Sequence, residues 1–433
     1  MFHLGWFYNY GFGAYGLNDP WSGNVRRDVA HPELFIQTAQ ALETAGFDYI
    51  MLEDASVLPD IHEGSFAPSV RAGAIRQDPF PLIPLIAAQT KHIGIIGTMA
   101  TSFYPPFIGA RLINTLDHLT GGRVGVNLVT ASPDAAAQNF GHEKHFEHDL
   151  RYRMAGEWIE AVKALWNTWD RDAVNYGDEL GDFADPSKVH YANFQGEFFS
   201  TRGPLNVIPS PQYHPVICQA GGSGVGRAFA AGHADTIIAA VHGVDQMREY
   251  KQDISRLLVE KGRAVDDAKL LHLISPVLGE TDDEANTRRK AQQQKREEYI
   301  DASLSGLSYM SGIDFSTFDL DAPLPEIDDR VNGHKSSMAT YVKISQSGKT
   351  LRETLLARSD AESIELVGSA ETIADKMEET MEQVGGDGFL ISSPVTRRNV
   401  AEIADGLAPV LRRRGLIRDG YAHKTLRENL LDF

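Results

Sequence analysis

The sequence predicts an α/β fold, a TIM-type (β/α)8 barrel with long insertions at the C-terminal face of the strands. Short apolar runs alternate with longer amphipathic segments along the whole chain, the signature of βα units and a parallel sheet. Eight such runs occur, the number a closed barrel needs. The chain has 433 residues against the roughly 250 of a minimal barrel, so about 180 residues are left for insertions and termini. An open doubly wound sheet would give the same alternation, because order along the chain does not reveal closure.

The strands are read at Phe2 to Tyr8, Tyr49 to Glu53, Ile93 to Met99, Arg123 to Val129, Pro215 to Ala220, Thr236 to Val241, Leu270 to Val277 and Gly388 to Ser392. Helical patterns separate them at Pro32 to Ala45, Leu82 to Lys91, Pro106 to Leu119, Arg151 to Trp169, Val225 to Ala234, Asp245 to Lys261, Asp282 to about Leu304, and Ala370 to Val384. Gly46 closes the first helix, and Ser369 followed by Glu371 opens the last as a capping residue with a nearby acid. The chain thus reads as one barrel domain over 1–433, with insertions at about 55–80, 170–214 and 305–362.

Composition narrows the function. Forty-two per cent of the residues are hydrophobic and the net charge is −18, which argues against binding a phosphodiester backbone. The basic run Arg412 to Arg414 sits near a helical C-terminus. A single cysteine, Cys218, excludes an intramolecular disulfide framework and a cysteine-based zinc site. No apolar stretch approaches 18 residues and the first residues lack a basic, then apolar, leader, so a soluble cytoplasmic enzyme is expected.

The segment Gln219-Ala-Gly-Gly-Ser-Gly-Val-Gly-Arg227 lies after a strand and opens a helix. Backbone N–H groups and a helix N-terminus there suit a phosphate, with Gly222, Ser223 and Gly224 at the tip. A dinucleotide fingerprint fails because its third glycine would fall on Arg227, and a Walker loop fails because Gly226 is followed by Arg-Ala. What remains is a mononucleotide phosphate or a plain tight turn. Asp54, Thr98, Asn127 and Thr130 fall at the ends of the second, third and fourth strands, where barrel enzymes place their chemistry. They are short polar groups able to hydrogen-bond a planar heteroaromatic ring.

The run His142 to His148 invites a metal, but position 146 is Phe where a zincin needs His, and no metal is expected. His148 and Tyr152 head an amphipathic helix and could point into the mouth or into solvent. Aromatics beyond the first strand, Tyr10 and Phe12, together with Phe103 and Tyr104, are expected to wall an apolar substrate pocket. No nucleophile elbow appears, so a cofactor is expected to carry the chemistry.

These residues resemble a known family, the bacterial luciferase-like flavin monooxygenases, in the branch of nitrilotriacetate, EDTA, dibenzothiophene-sulfone and long-chain alkane monooxygenases. The marks are Leu52-Glu-Asp54, Thr90-Lys-His-Ile-Gly94, Tyr104-Pro-Pro-Phe107, the run from Thr115 to Gly125, Asn127-Leu-Val-Thr130, Ala137-Gln-Asn-Phe-Gly141, Arg202-Gly-Pro-Leu205 and Gln219-Ala-Gly221 with Ser223.

The resemblance implies reduced FMN (FMNH2) and O2 as cosubstrates, a separate NAD(P)H-dependent flavin reductase as transient partner, a C4a-peroxyflavin, and a homodimer or homotetramer. It implies that Asp54, Thr98, Asn127 and Thr130 line the ring and ribityl chain. His148 and Tyr152 would face the flavin or its phosphate, with His148 as the residue that modulates protonation, and Ser223 with the glycine amides would hold the phosphate. The expected reaction inserts one oxygen atom into a small organic, even xenobiotic, substrate. A deazaflavin-dependent oxidoreductase or a non-catalytic flavin-binding protein would use the same barrel. The family commonly continues Val-Thr-Ser where this chain reads Val129-Thr-Ala131.

Overall fold

The computed structural model describes residues 1–13, 22–73, 75–177, 181–324, 348–356 and 363–433. Eight parallel strands close into a barrel in which every strand pairs with its neighbours in chain order: β1 (His3–Tyr8), β2 (Tyr49–Leu52), β3 (Gly94–Ala100), β4 (Val124–Val129), β5 (Val216–Gln219), β6 (Thr236–Ala239), β7 (Lys269–Ile274) and β8 (Gly388–Ser392). Closure excludes the open sheet that alternation alone allowed.

Strand alternation sorts the side chains into two cores. Met51, Ile96, Val216, Cys218, Ile238, Leu271 and Leu390 fill the barrel interior, while Ile50, Ile95, Val126, Ile217 and Ile237 face the helices. The outer layer comprises α1 (Glu33–Thr44), α2 (Leu82–Ala87), α3 (Pro106–Thr120), α4 (His148–Trp166), α5 (Gly224–His233), α6 (Val244–Glu260), α7 (Ala370–Val384) and α8, which runs over 397–413 and includes a π-helical stretch, Glu402–Leu407. No helix among the described residues is long and apolar enough to cross a membrane.

The segment Asp282 to Leu304, expected as a wall helix, is two helices outside the wall. Asp282–Glu298 is polar nearly all round and buries only Ala285. It packs on a two-stranded sheet, Val277–Leu278 with Val367–Gly368, that pinches off the base of the β7 excursion. Ile300–Ser311 follows, and its Leu304 and Leu307 join Phe315, Leu351 and Leu355 in a small separate core. The wall position beside β7 belongs instead to α7, which packs on α6. Within the expected insertion 305–362, residues 325–347 and 357–362 lie outside the described residues.

The excursions after β2 and β7 leave from the carboxyl ends of their strands and meet there. Ser69 Oγ lies 3.5 Å from Ser305 Oγ, and Asp314 accepts the Glu63 backbone N–H at 3.1 Å. The excursion at 170–214 differs in place: it joins the end of α4 to the start of β5, so it enters the barrel from the amino ends of the strands. Gln212, at its close, reaches Asp117 on α3 and the Val124 carbonyl at the foot of β4.

That amino end is stoppered. The helix Leu426–Leu430 inserts Leu426 and Leu430 into the interior core from below. Asp48, wholly buried, accepts from His3 Nδ1 at 2.9 Å, from the Leu4 N–H at 2.9 Å and from Arg418. Arg427 binds Asp235 with two nitrogens at 2.7 and 2.8 Å. His3 also stacks on Phe433, with centroids 4.3 Å apart, and meets its carbonyl oxygen at 3.1 Å.

Four histidines are held neutral by burial. His145, His214, His233 and His272 are each pushed down to about 4. An unfolded histidine titrates near 6.5, so between about 6.5 and 4 the unfolded chain binds more protons and folding stability rises with pH. The Asp54 carboxyl, raised to about 6, and those of Glu53 and Asp117, also raised by burial, contribute with the opposite sign, but they are three groups against four. Stability measured by urea titration should therefore fall as pH drops below about 6.5, before the ordinary carboxylates protonate. A flat profile from pH 7 to 5 would contradict this.

Candidate active site at the carboxyl rim of the barrel

Thr98 and Asn127 are cross-strand partners on β3 and β4, both inward and almost fully buried. Asn127 Nδ2 donates to Thr98 Oγ1 at 3.1 Å, which leaves the buried Asn127 Oδ1 without a protein partner. An orphaned buried acceptor costs free energy unless a ligand supplies the donor. Thr130 follows at the end of β4.

The glycine-rich turn follows β5, the strand paired with β4. Ser223 is the N-cap of α5, its Oγ accepting the Gly226 N–H at 3.1 Å. The turn is pinned from behind: Tyr250 on α6 donates to the Gly221 carbonyl at 2.6 Å and Arg227 donates to the Gly222 carbonyl at 2.7 Å. A side chain at Gly221 would strike the Gly226 carbonyl, which explains glycine there. Gly222 and Gly224 are exposed at the tip.

Tyr152 reaches this turn from α4. Its hydroxyl lies 2.9 Å from where a Cβ on Gly226 would stand, and Gln219 and Ser223 hydrogen-bond it. Gln219 also keeps a buried Oε1 without a protein partner. His148, at the first position of α4, sits edge-on to Tyr152 at 5.2 Å and is bound through Nδ1 to Asp149 at 2.7 Å. Tyr152, Ser223, Gly222 and Gly224 are therefore brought together.

Asp54 belongs to a second group at the end of β2, the strand paired with β3. Burial, with Asp78 and Glu53 nearby, raises its carboxyl to about 6 although the Ala55 N–H opposes the shift. Glu53 pairs with Arg76 at 2.6 Å, and Tyr10 lies under that guanidinium at 5.1 Å. Tyr104 is pushed up to about 12 by burial, then by Asp78 and Asp54. From the β7 excursion Tyr309 joins, raised to about 12 by burial and the Glu53 charge.

Two of the expected pocket aromatics are committed to packing. Phe12 lies edge-on to Phe35 of α1 at 5.2 Å, and Phe103 stacks on Phe140 at 4.2 Å and on His145 at 5.3 Å. Sequence reasoning missed Tyr309, Arg76 and His145. The first two come from excursions with no period, and His145 shows in sequence only as a failed metal ligand. Among the described residues no group of three or more His, Cys, Asp or Glu is placed to hold a metal ion. A cavity of about 680 Å³ between Trp169, Phe183, Val189 and Tyr191 lies in the 170–214 excursion, away from the rim groups, and is not part of this site.

The sequence matches the luciferase-like monooxygenase family over residues 3–388. The chain belongs to that family. It is an oxygenase, and its relatives span most of its length. It is 36% identical over 401 residues to N-acetyl-S-(2-succino)cysteine monooxygenase of Bacillus subtilis (strain 168), covering 92% of this chain and 89% of that protein. It is likewise 36% identical over 423 residues to dibenzothiophene-sulfone monooxygenase of Rhodococcus erythropolis, covering 94% and 91%. Among solved structures, DmoA from Hyphomicrobium sulfonivorans superposes with a TM-score of 0.88 at 32% identity, covering 100% of this chain and 92% of that one. Riboflavin lyase, solved with modified FMN and riboflavin, gives 0.87 at 29% identity, covering 100% and 96%. The branch resemblance read from Leu52-Glu-Asp54 and the glycine turn is thus matched by nitrilotriacetate and long-chain alkane monooxygenases as well, at 34% and 32% identity.

Proposed function

We propose that this oxygenase is the larger component of a two-component system. It takes reduced FMN from a separate NAD(P)H-dependent flavin reductase and uses O2 to insert one oxygen atom into a small organic substrate. The observation that carries this reading is the convergence of Tyr152, Ser223 and the exposed amides of the glycine turn at the end of β5, next to β4, which offers the orphaned Asn127 Oδ1. An anionic tail suits the first and a ring N–H suits the second. Thr98 takes the Asn127 Nδ2 donor, which leaves Oδ1 as the free acceptor, and Thr130 follows at the end of the same strand.

Reduced FMN, when bound, supplies the activation of O2. The residues bind, orient and shield. Arg227, the basic residue within the turn motif, is committed to Asp253 at 2.6 Å and to the Gly222 carbonyl. Neutral hydroxyls and amides are then left to hold the phosphate, a grip suited to a cosubstrate that exchanges rather than a permanent prosthetic group. With Asp149 at Nδ1, His148 is left with Nε2 to hold or release a proton beside Tyr152. Tyr309 and the meeting of the β2 and β7 excursions shield the rim from water.

Anaerobic titration tests the reading. Reduced FMN should bind at least about tenfold more tightly than oxidised FMN, a difference of roughly 1.4 kcal/mol, and admitting air with a thioether or heterocycle present should give an oxygenated product. Tight binding of oxidised FMN without turnover would favour a flavin-binding protein. Hydride transfer from a reduced deazaflavin without O2 would favour the oxidoreductase.

A further inference from the structure

Beyond β4 the chain turns through Thr130 and Ala131, and Ala131 is left-handed, with φ 53°. A residue carrying a Cβ adopts that conformation only where its surroundings impose it. The Thr130 carbonyl is where they do so: it accepts from Ser102 Oγ at 3.2 Å and faces His145 Nε2 at 3.0 Å. The imidazole is itself fixed. Its Nδ1 accepts the Phe146 backbone N–H at 2.9 Å, so the neutral ring carries its proton on Nε2, the tautomer that donates to Thr130. Its backbone N–H donates to Asp134 at 3.0 Å and its face lies on Phe103. One buried ring therefore ties the loop after β3, the end of β4 and the approach to α4.

We infer that His145 is a positioning residue: its Nε2–H holds the Thr130 carbonyl and so maintains the left-handed turn that sets Thr130 at the flavin edge of the rim. The placement of the turn stands on these contacts alone; its effect on flavin rests on the function proposed above. Burial, reinforced by Arg151, keeps the ring neutral, pushing it down to about 4.

Three substitutions separate this role from simple packing. His145→Phe keeps the stack on Phe103 and removes the donor, His145→Gln restores a donor, and Ala131→Gly removes the penalty for positive φ. In a crystal structure of the His145→Phe protein, Ala131 should leave the left-handed region and the Thr130 carbonyl should rotate. Its affinity for reduced FMN should fall about tenfold, the scale of one buried hydrogen bond. His145→Gln should regain most of that loss. Ala131→Gly combined with His145→Phe should lose less than the sum of the two, because glycine adopts the turn unaided.

An unmoved turn in the His145→Phe structure overturns the inference, and so does strict additivity of the two changes. A wild-type protein that fails to bind reduced FMN overturns the functional reading instead, and the crystal structure then decides the role of His145 by itself.

Discussion

Replacing Ser223 with aspartate should lower the affinity for reduced FMN at least a hundredfold while leaving the fold intact. Aspartate is as good an N-cap as serine, so α5 keeps the hydrogen bond that Gly226 N–H now gives to Ser223 Oγ. What changes is charge. A carboxylate set about 4 Å from a phosphate at an effective dielectric near 20 is opposed by about 4 kcal/mol. The guanidinium closest in sequence cannot relieve this, since Arg227 already pairs with Asp253. Equilibrium titration with reduced FMN reads the loss directly, and unchanged circular dichroism with a similar melting temperature certifies the fold. Undiminished affinity would place the phosphate elsewhere and remove the central support of the proposed function.

The second large effect lies at the opposite end of the barrel and concerns stability. Asp48→Ala should cost about 3–5 kcal/mol in urea unfolding, the range for removing one partner from a buried ionic group. His3 Nδ1, Arg418 and the Leu4 amide would all lose their acceptor, in surroundings where the side chains of His3, Asp48 and Arg418 are at most 4% exposed. Burial opposes ionisation of Asp48, yet His3 and Arg418 hold its carboxyl below the ordinary range, so the ionised group is the folded form. Measured well inside the folded baseline, the variant should still bind reduced FMN like the wild type, because the rim groups share no hydrogen bond with this cluster. A loss below 1 kcal/mol would mean that the cluster is dispensable.

The barrel was legible because eight apolar runs are a local signal, and all eight runs overlap barrel strands. The seventh run extends to Val277 in sequence, but β7 stops at Ile274 and Val277 belongs to the small sheet beyond Pro276. Proline offers no N–H to continue the ladder, which a reading of apolar character alone overlooks. The helix over Asp282–Glu298 was legible as a helix, with Thr281 capping it, yet its place outside the wall was not. Placement depends on pairing of Val277 with Val367, some ninety residues away, and local pattern carries nothing of that.

The site was legible in the same uneven way. Thr98 and Asn127 could be named as strand ends, but that they bond each other and leave Oδ1 unpaired follows from sheet register. Tyr152 at the glycine turn needed α4 and α5 to be neighbours, which chain order in a barrel provides. Phe12 and Phe103 were named for their aromatic character, and the structure gives them Phe35 and Phe140 as partners. The stopper Leu426–Leu430 went unread because a five-residue helix has too little length to show a period.

The contact of His3 with Phe433 sets a schedule for biosynthesis. Translation at about 5–20 residues per second puts residue 433 on the nascent chain tens of seconds after residue 3. Throughout that interval the first strand emerges without the segment that finally covers its foot. Its apolar side chains, Leu4 and Trp6 among them, are candidates for chaperone protection until synthesis has passed the last helix.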